Sequence, residues 1–197
     1  MIAIINYGVG NIRSIQKAIE FIGGKAVITR DVRVVREANG IILPGVGAFK
    51  AAMVNLKDFI DVLKDVSVPI LGICLGMQLF ATESEEGGLH RGLNFIPGRV
   101  IKFPKNVGKI PHMGWNQIRI VKHHEVLDGI EDGSYVYFVH SYYVKTYDKY
   151  IITKTKYGID FASGIASNNI IGFQFHPEKS GKVGLTILRN FLRICKS

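Results

Sequence analysis

The sequence predicts an α/β fold with a mixed, largely parallel central sheet and helices on both faces. Short apolar runs alternate with amphipathic segments from Ile2 to the segment after Cys74. This order is typical of a parallel sheet whose crossover helices cover both faces. After about residue 95, strand-like runs follow one another with few helices, which indicates a mixed or antiparallel extension of the same sheet. The 197 residues show no repeat or linker, so residues 1–197 are expected to form one domain.

Four apolar runs in the first half predict buried strands. They cover residues 2–6, 25–29, 40–43 and 68–73. After the Gly8-Val9-Gly10 turn, isoleucines at helical spacing predict a helix that stops at Gly23-Gly24. Residues 48–65 predict an amphipathic helix, because their large apolar side chains fall on one face. Helix resumes after Cys74.

The second half predicts five more strands and a closing helix. The helix begins at about Gly181 and carries an apolar stripe that includes Leu188 and Cys195, so Cys195 is expected in the core. The predicted strands are Arg99–Phe103, Gln117–Val121, Tyr135–Val139, Tyr150–Lys156 and Ile170–Phe175.

Composition excludes several classes of protein. Hydrophobic residues make up 47% and charged residues 21%, as in ordinary soluble globular proteins, and no apolar run is long enough to span a membrane. Two distant cysteines without a signal peptide favour free thiols in the cytoplasm. The net charge is +9, but the basic residues are scattered rather than striped, which argues against nucleic-acid binding. No metal-ligand spacing occurs, so no metal site is predicted.

The segment Gly72-Ile73-Cys74-Leu75-Gly76 predicts a nucleophile elbow between a strand and a helix. Glycine is needed at the flanking positions because the sharp turn leaves no room for Cβ atoms. The start of the helix favours a thiolate at Cys74, and the Leu75 N–H is placed to bind an oxyanion. The alternative is a buried structural cysteine.

His176 is the best-placed base among the six histidines. It follows an apolar strand and precedes Pro177, and functional groups gather beyond the carboxyl ends of parallel strands. Cys74 lies at the same edge. Glu178, two residues on, is near enough to orient the imidazole, so Cys74, His176 and Glu178 form a candidate triad. Otherwise His176 is a satisfied strand-end residue and Glu178 a surface charge.

Two glycine-containing turns suggest different functions. Residues 6–11 (NYGVGN) follow the first strand as a dinucleotide-binding turn would, but Arg13 stands where the third glycine belongs. Residues 44–49 (PGVGAF) are placed to supply the second oxyanion donor, from Val46 or Gly47. Glycines on both sides make rotation of the peptide between them sterically cheap. A carbonyl can therefore face the site at rest and an N–H on activation.

The residues around Cys74 and His176 resemble the class I, triad-type glutamine amidotransferases, whose fold is flavodoxin-like. The matching motifs are GICLGMQ (residues 72–78) and FHPE (residues 175–178). Other segments resemble one branch of that family, the glutaminase subunits of imidazole glycerol phosphate synthase. They run in order over nearly the whole chain: NYGVGN, PGVGAF, RGLNFIPG, PHMGWN, YFVHSY and FQFHPEKS.

The resemblance implies that glutamine is hydrolysed to glutamate and ammonia through a Cys74 thioester, without a cofactor. It implies that Gln78, Glu86 and Gly45–Gly47 hold glutamine, while the His140-Ser141-Tyr142 backbone lines its amino-acid end. It also implies a heterodimer with a separate (β/α)8 cyclase subunit. That subunit uses the ammonia in histidine biosynthesis, forming imidazole glycerol phosphate and an aminoimidazole carboxamide ribonucleotide. A glutaminase subunit serving another acceptor synthase is the alternative.

Three residues are candidates for contact with that partner. Trp115, the only tryptophan, sits among polar and small residues, and tryptophan is enriched among interface anchors. The resemblance suggests that Lys179 pairs with an acidic partner residue, and Asn11 is placed near the docking face. A dinucleotide-binding protein and a catalytically idle binding module remain alternatives. The first is opposed by the missing third glycine, the second by the intact triad.

Overall fold

Strands dominate the computed structural model, which describes residues 1–8 and 10–196. Val9, inside the predicted glycine turn, and Ser197 lie outside the described residues. The strands, in chain order, are β1 (Ile2–Ile5), β2 (Ala26–Thr29), β3 (Gly40–Leu43), β4 (Ile70–Ile73), β5 (Glu83–Ser84), β6 (His90–Arg91), β7 (Gly98–Lys102), β8 (His112–Gln117), β9 (Arg119–Ile120), β10 (Tyr135–His140), β11 (Tyr142–Thr146), β12 (Ile151–Tyr157), β13 (Ile159–Ser167) and β14 (Ile170–Phe173).

The helices cover both faces of the sheet. Buried side chains of α3 and α5 belong to one apolar core, and those of α1 and α6 belong to the other. Each large apolar side chain buried there contributes roughly 1.5–3 kcal/mol relative to exposure. The helices are α1 (Ile12–Phe21), α2 (Val32–Arg36), α3 (Phe49–Leu56), α4 (Ile60–Asp65), α5 (Leu75–Leu79) and α6 (Gly181–Ile194).

The central sheet has eight strands in the order β2-β1-β3-β4-β14-β13-β12-β9. The pairs from β2 to β14 are parallel, and those from β14 to β9 are antiparallel. The predicted mixed, largely parallel sheet is therefore confirmed. In the register of β4 and β14, Phe173 lies opposite Ile73. The two strands thus end together, and the segments that carry Cys74 and His176 leave the sheet side by side.

The prediction that all later strands extend the central sheet is wrong. β8 and β10 form a two-stranded ribbon, and β11, β7, β5 and β6 form a separate sheet. The strands predicted at residues 99–103 and 135–139 therefore lie outside the central sheet. β10 buries alternate side chains, Val136 and Phe138 among them, so it packs on the core by one face, and such packing does not require pairing with the central sheet.

Several elements differ from the prediction locally. The helix predicted over residues 48–65 is interrupted by a 3-10 turn at Lys57–Phe59, which directs Phe59 into the core. Helix α2 is an unpredicted short helix, capped by the Asp31 carboxylate, which accepts from the Arg33 N–H. The strand predicted over residues 117–121 is split, because β8 ends at Gln117. Strands β5, β6, β11 and β13, and β8 apart from Gln117, lie outside the predicted strands.

Cys195 lies just beyond the last residue of α6 and is half-buried rather than fully in the core. Its side chain packs against Gly40, where a Cβ atom would collide with the Cys195 sulfur. Burial raises the pKa of the Cys195 thiol to about 12. The helical register correctly directed this cysteine inwards, but the end of the helix leaves it only partly covered.

Candidate active site

Cys74 occupies a sharp turn between β4 and α5. Its backbone angles, φ 54° and ψ −106°, are unusual for a residue with a side chain and are typical of strained functional positions. The Cys74 N–H donates to the Phe173 carbonyl at 2.7 Å, which ties the turn to β14. A Cβ atom on Gly76 would collide with the Leu43 carbonyl oxygen, and one on Gly72 would lie 2.7 Å from the Gly76 carbonyl carbon. The predicted steric need for both glycines is confirmed.

His176 and Glu178 form a buried hydrogen-bonded pair beside this turn. His176 Nδ1 lies 2.9 Å from Glu178 Oε1, and the two side chains are 2% and 0% exposed. His176 Nε2 is buried and has no hydrogen-bond partner among the described residues, which leaves this nitrogen for the reaction. Burial lowers the pKa of His176, but Cys74 and Glu178 outweigh it and raise that pKa to about 9. The site therefore favours an imidazolium beside the sulfur.

Asn11 also contacts the His176–Glu178 pair, through the Glu178 carboxylate. Its Nδ2 donates to Glu178 Oε1 at 2.9 Å, the same oxygen that binds His176. Asn11 has a left-handed backbone conformation (φ 67°) immediately before α1, which asparagine tolerates better than most residues. The sequence places it near a docking face. In the structure its side-chain amide orients the carboxylate of the candidate triad.

A cavity of about 320 Å³ opens beside Cys74. Nine of the predicted site residues line it, from the nucleophile, oxyanion and glutamine-binding groups. Gly45, His176 and Glu178 are not at its wall, and Pro111 and Val139 are additions that the sequence did not single out. The lining residues are Val46, Gly47, Cys74, Leu75, Gln78, Glu86, Pro111, Val139, His140, Ser141 and Tyr142.

The acidic run at residues 83–86 is divided between two tasks. Glu83 and Glu85 both pair with Arg99, at the surface of the small sheet. Glu86 instead faces the cavity, and its Oε2 accepts from the Phe49 N–H at 2.9 Å, at the first turn of α3. Its carboxylate is thus held in place beside the predicted glutamine site.

The expected oxyanion donor at Leu75 is already engaged. The Leu75 N–H donates to the Gly45 carbonyl at 3.3 Å, so it is not available to bind an oxyanion in the cavity. Gly45 packs tightly, since a Cβ atom there would lie 2.7 Å from Leu75 Cβ. Gly47 has φ 127° and open space around it. The turn from Gly45 to Gly47 is therefore in a conformation in which a carbonyl, rather than an N–H, points at the start of α5.

Sequence reasoning missed two buried polar side chains close to the cavity, His112 and Gln174. His112 Nδ1 and His140 Nε2 are 2.9 Å apart, and His140 Nδ1 lies 2.8 Å from the Tyr142 carbonyl. Because a carbonyl only accepts, His140 carries its proton on Nδ1 and His112 must donate to His140 Nε2. His112 Nε2 then accepts from Asn116 Nδ2 at 3.1 Å. This series of hydrogen bonds requires both imidazole rings to be neutral, and it holds the His140–Tyr142 wall of the cavity in place.

The two neutral histidines predict a loss of stability in acid. Burial lowers the pKa of His112 to about 4 and that of His140 to about 3, from 6.5. Below pH 6.5 the unfolded chain binds protons at His112 and His140 that the folded chain does not bind. The free energy of unfolding therefore decreases as the pH is lowered. Each histidine contributes about 1.4 kcal/mol per pH unit. Denaturant unfolding from about pH 6.5 to about pH 5 should show this slope, because most carboxylates remain ionised there.

His112→Gln removes one of these groups, so the slope should fall by about 1.4 kcal/mol per pH unit. His123→Gln is the matched control, because it removes a histidine whose side chain is 87% exposed, at the surface beside Asp128, and it should change the slope far less than His112→Gln does. Equal slopes for His112→Gln and the unmodified protein would contradict the assignment of a neutral His112.

Trp115, Tyr137 and Lys179 lie together on the outer face of the β8–β10 ribbon. Trp115 is 56% exposed, and its ring meets that of Tyr137 edge to face at 6.2 Å. Lys179 Nζ lies 5.8 Å from the centre of the Tyr137 ring. Met113 and Tyr135, on the same face of the ribbon, are 62% and 55% exposed. We call these five residues the ribbon face; a cluster of exposed aromatic and apolar side chains is typical of interaction surfaces.

Residues 1–8 and 10–196 contain no group of three or more histidine, cysteine, aspartate or glutamate side chains that could hold a metal ion. In the same residues, no helix has the length and apolar character needed to cross a membrane.

Comparison with known proteins identifies relatives along the full chain. Residues 3–195 match the family described as glutamine amidotransferase class-I. A protein of Archaeoglobus fulgidus, named imidazole glycerol phosphate synthase subunit HisH, is 61% identical over 196 residues, which is all of both chains. A protein of Methanosarcina acetivorans with the same name is 50% identical over 199 residues, covering 98% of each chain.

Solved structures share the fold at lower identity. A putative GMP synthase component from Thermoplasma acidophilum superimposes with a TM-score of 0.78 at 21% identity, covering 99% of this chain and 93% of that one. A glutamine amidotransferase of Thermotoga maritima gives a TM-score of 0.70 at 15% identity, covering 100% and 98%. These likenesses concern the fold alone. With the family match over residues 3–195 and relatives that align from end to end, the chain belongs to the class I glutamine amidotransferases.

Proposed function

We propose that this chain is the glutaminase subunit of imidazole glycerol phosphate synthase and supplies ammonia to a separate cyclase subunit in histidine biosynthesis. The observation that carries the proposal is the strained Cys74 turn beside the buried His176–Glu178 pair, at the end of a cavity of about 320 Å³. The relatives named as subunits of that synthase support this choice of acceptor. Residues 1–197 act as one catalytic domain in the cytoplasm, and both cysteines are free thiols.

The proposed reaction begins at the Cys74 sulfur. The thiolate attacks the side-chain amide carbon of glutamine, and His176 Nε2 protonates the nitrogen as the carbon–nitrogen bond breaks. Ammonia leaves, and a glutamyl thioester remains on Cys74. Neutral His176 then takes a proton from water, whose oxygen attacks the thioester and releases glutamate with the thiolate restored. Glu178 keeps the His176 Nδ1 proton in place throughout, because it accepts that hydrogen bond at 2.9 Å.

The cavity wall accounts for recognition of glutamine. The carboxylate of Glu86 matches the α-ammonium group of an amino acid. Gln78 and the backbone of residues 140–142 line the remaining wall, and the neutral His112–His140 pair keeps that backbone in position. The carbonyl oxygen of the reacting amide needs N–H donors from Leu75 and from Val46 or Gly47.

Ammonia chemistry requires a docked partner. Ammonia released into neutral water is mostly protonated and is then no nucleophile, so it has to travel along a shielded path. In the proposal, the acceptor is a (β/α)8 cyclase subunit, and the ribbon face docks against it. Tyr135 and Tyr137 of the ribbon face lie on β10. The other end of this strand, at Val139 and His140, lines the cavity. Lys179 adds a positive charge that complements an acidic residue of the partner.

Reconstitution tests the assignment. The purified chain is mixed with a cyclase subunit of imidazole glycerol phosphate synthase, glutamine and the open-chain ribonucleotide substrate. Formation of imidazole glycerol phosphate is expected only when both proteins are present. Glutamine hydrolysis without that product, or a different synthase recovered with the chain from native extract, would favour a glutaminase serving another acceptor.

The ribbon face predicts a specific loss of partner binding. Trp115→Ala should weaken binding of the cyclase subunit by about 2 kcal/mol or more, because truncating an aromatic anchor that becomes buried in the complex costs that amount. Isothermal titration measures the affinity, and a thermal melt checks the fold. Phe21→Ala is the matched control, since Phe21 is 76% exposed and ends α1, at the opposite end of that helix from Asn11. Equal losses in affinity for both variants would contradict the interface assignment.

A further inference from the structure

Two buried glutamine side chains connect the cavity wall to the Cys74 sulfur. Gln174 follows β14 directly, between Phe173 and Phe175, and is 0% exposed. Its Nε2 donates to Cys74 Sγ at 3.6 Å, and its Oε1 accepts from Gln78 Nε2 at 3.1 Å. Gln78 Nε2 also donates to the Tyr142 carbonyl at 3.0 Å. A continuous hydrogen-bonded chain therefore runs from Tyr142 to the sulfur.

The direction of this chain follows from its end at Tyr142. A backbone carbonyl only accepts hydrogen bonds, so the Gln78 atom that faces it must be the amide nitrogen. The second hydrogen of that nitrogen points to Gln174, which must offer its oxygen. The nitrogen of Gln174 is then the atom that faces Cys74. Rotating the Gln78 amide by half a turn would oppose acceptor to acceptor, and rotating the Gln174 amide would oppose two donors at Gln78; either is costly inside a buried site.

The sulfur has a different relation to each of its two hydrogen-bond partners. Its other contact is the Val139 carbonyl at 3.8 Å, which can only accept a hydrogen bond, and so needs the protonated thiol as donor. Gln174 offers an N–H, which a negatively charged sulfur accepts more strongly than a neutral one. Ionisation of Cys74 therefore weakens the contact with Val139 and strengthens the contact with Gln174. A donor placed in this way favours the charged form of its partner.

We propose that Gln174 is a further catalytic residue, whose side-chain amide stabilises the Cys74 thiolate and aims it at the cavity. The inference rests on the proposed role of Cys74 as the nucleophile. Gln174 is uncharged, so its contribution does not depend on its own protonation. It is also fully enclosed, so water does not replace its hydrogen bond. Gln78 then serves the nucleophile as well as the cavity wall, because it fixes the orientation of Gln174.

Other titratable groups near the sulfur have to be held constant in a test. His176 faces it from the segment after β14, and Tyr7 interacts with it from the turn after β1. Glu86 lines the same cavity from the segment after β5, and His140 lines it from the end of β10. Substitution of Gln174 leaves all four residues in place. A change in the behaviour of Cys74 is then attributable to the amide.

Alkylation of Cys74 by iodoacetamide tests the proposal without using glutamine. The rate is measured against pH, and labelling of the Cys74 peptide is followed by mass spectrometry so that Cys195 does not interfere. Gln174→Met keeps the size but removes the donor, so the pH midpoint should rise by about one unit, a tenfold slower reaction below both midpoints. Gln174→Glu places an acceptor against the sulfur and should raise the midpoint further. Thiolate absorbance, taken as a difference against Cys74→Ser, should move in parallel.

Thr155→Val is the matched control, because it removes a buried hydroxyl that has no hydrogen-bond partner among the described residues and lies outside the site. It should leave the midpoint unchanged. The proposal is overturned if a folded Gln174→Met or Gln174→Glu variant has the midpoint of the unmodified protein, or if Thr155→Val shifts it equally. If Gln174→Met does not fold, Gln174→Glu decides, since it keeps the shape and the acceptor for Gln78. A wrong nucleophile would show itself differently, as glutamine turnover that survives Cys74→Ser.

Discussion

Replacing Cys74 with serine is expected to abolish synthesis from glutamine and to leave synthesis from added ammonia intact. Serine keeps the size of the side chain but ionises far less readily than a thiol, so no thioester forms. The loss should be on the order of 10⁴-fold or more, as for removal of other catalytic nucleophiles. Ammonia bypasses the glutaminase step because the acceptor chemistry belongs to the cyclase subunit. The measurement is formation of imidazole glycerol phosphate by the reconstituted complex with each nitrogen source.

Cys195→Ser is the control for this experiment, since Cys195 is half-buried at the end of α6, away from the cavity. It should keep both activities. A Cys74→Ser complex that still turned over glutamine would show that Cys74 is not the nucleophile. Loss of the ammonia-dependent activity as well would point instead to failed assembly, which a binding measurement would reveal.

The engaged Leu75 N–H predicts that the isolated chain binds glutamine but hydrolyses it slowly. The Gly45 carbonyl occupies this donor at 3.3 Å, and the second donor depends on rotation of the peptides between Gly45 and Gly47. Loss of one oxyanion donor costs about 2.7–4 kcal/mol in the barrier, or roughly 10²–10³ in rate. Glycine permits the rotation at low steric cost. Docking of the cyclase with its nucleotide ligand should therefore raise kcat by at least that factor.

The form of the activation distinguishes this mechanism from simple tightening of the glutamine site. An interaction made only in the transition state raises kcat and leaves KM nearly unchanged. Glutamate release is measured with the chain alone, with the cyclase, and with the cyclase and its ligand. A fast isolated chain that does not respond to its partner would refute the model. An effect confined to KM would assign the activation to binding of glutamine instead.

The parallel half of the sheet and the local geometry of the nucleophile were predictable from the amino-acid order. Short continuous apolar runs between segments of helical periodicity indicate buried strands, so β1, β3, β4 and β14 could be predicted. The Cys74 turn was predictable for a similar reason. A Cβ at Gly76 would collide with Leu43, and this steric conflict appears in the sequence as a glycine. His176 and Glu178 are two residues apart, so their pairing needs only a short turn.

Contacts between distant side chains depended on the packing of the whole fold. Asn11 reaches Glu178 across 167 positions, and Gln174 reaches Cys74 across 100. No local pattern encodes either contact, because hydrogen bonds between elements depend on how β4, β14 and α1 pack. A glutamine between two buried phenylalanines was the available signal for Gln174, since a buried polar group requires a partner. The sequence could not show that this partner is the sulfur.

The ribbon of β8 and β10 depended on tertiary structure for another reason. Alternating half-buried strands satisfy either an extension of the central sheet or a separate ribbon, and their sequence pattern is the same in both. Packing against the core selected the ribbon, with Phe138 inside and Trp115 outside. The state of the Leu75 donor was likewise open, because glycine at positions 45 and 47 permits both orientations of the peptides between them. Sequence determines that this choice exists, and the packing of Gly45 against Leu75 determines which orientation the resting chain adopts.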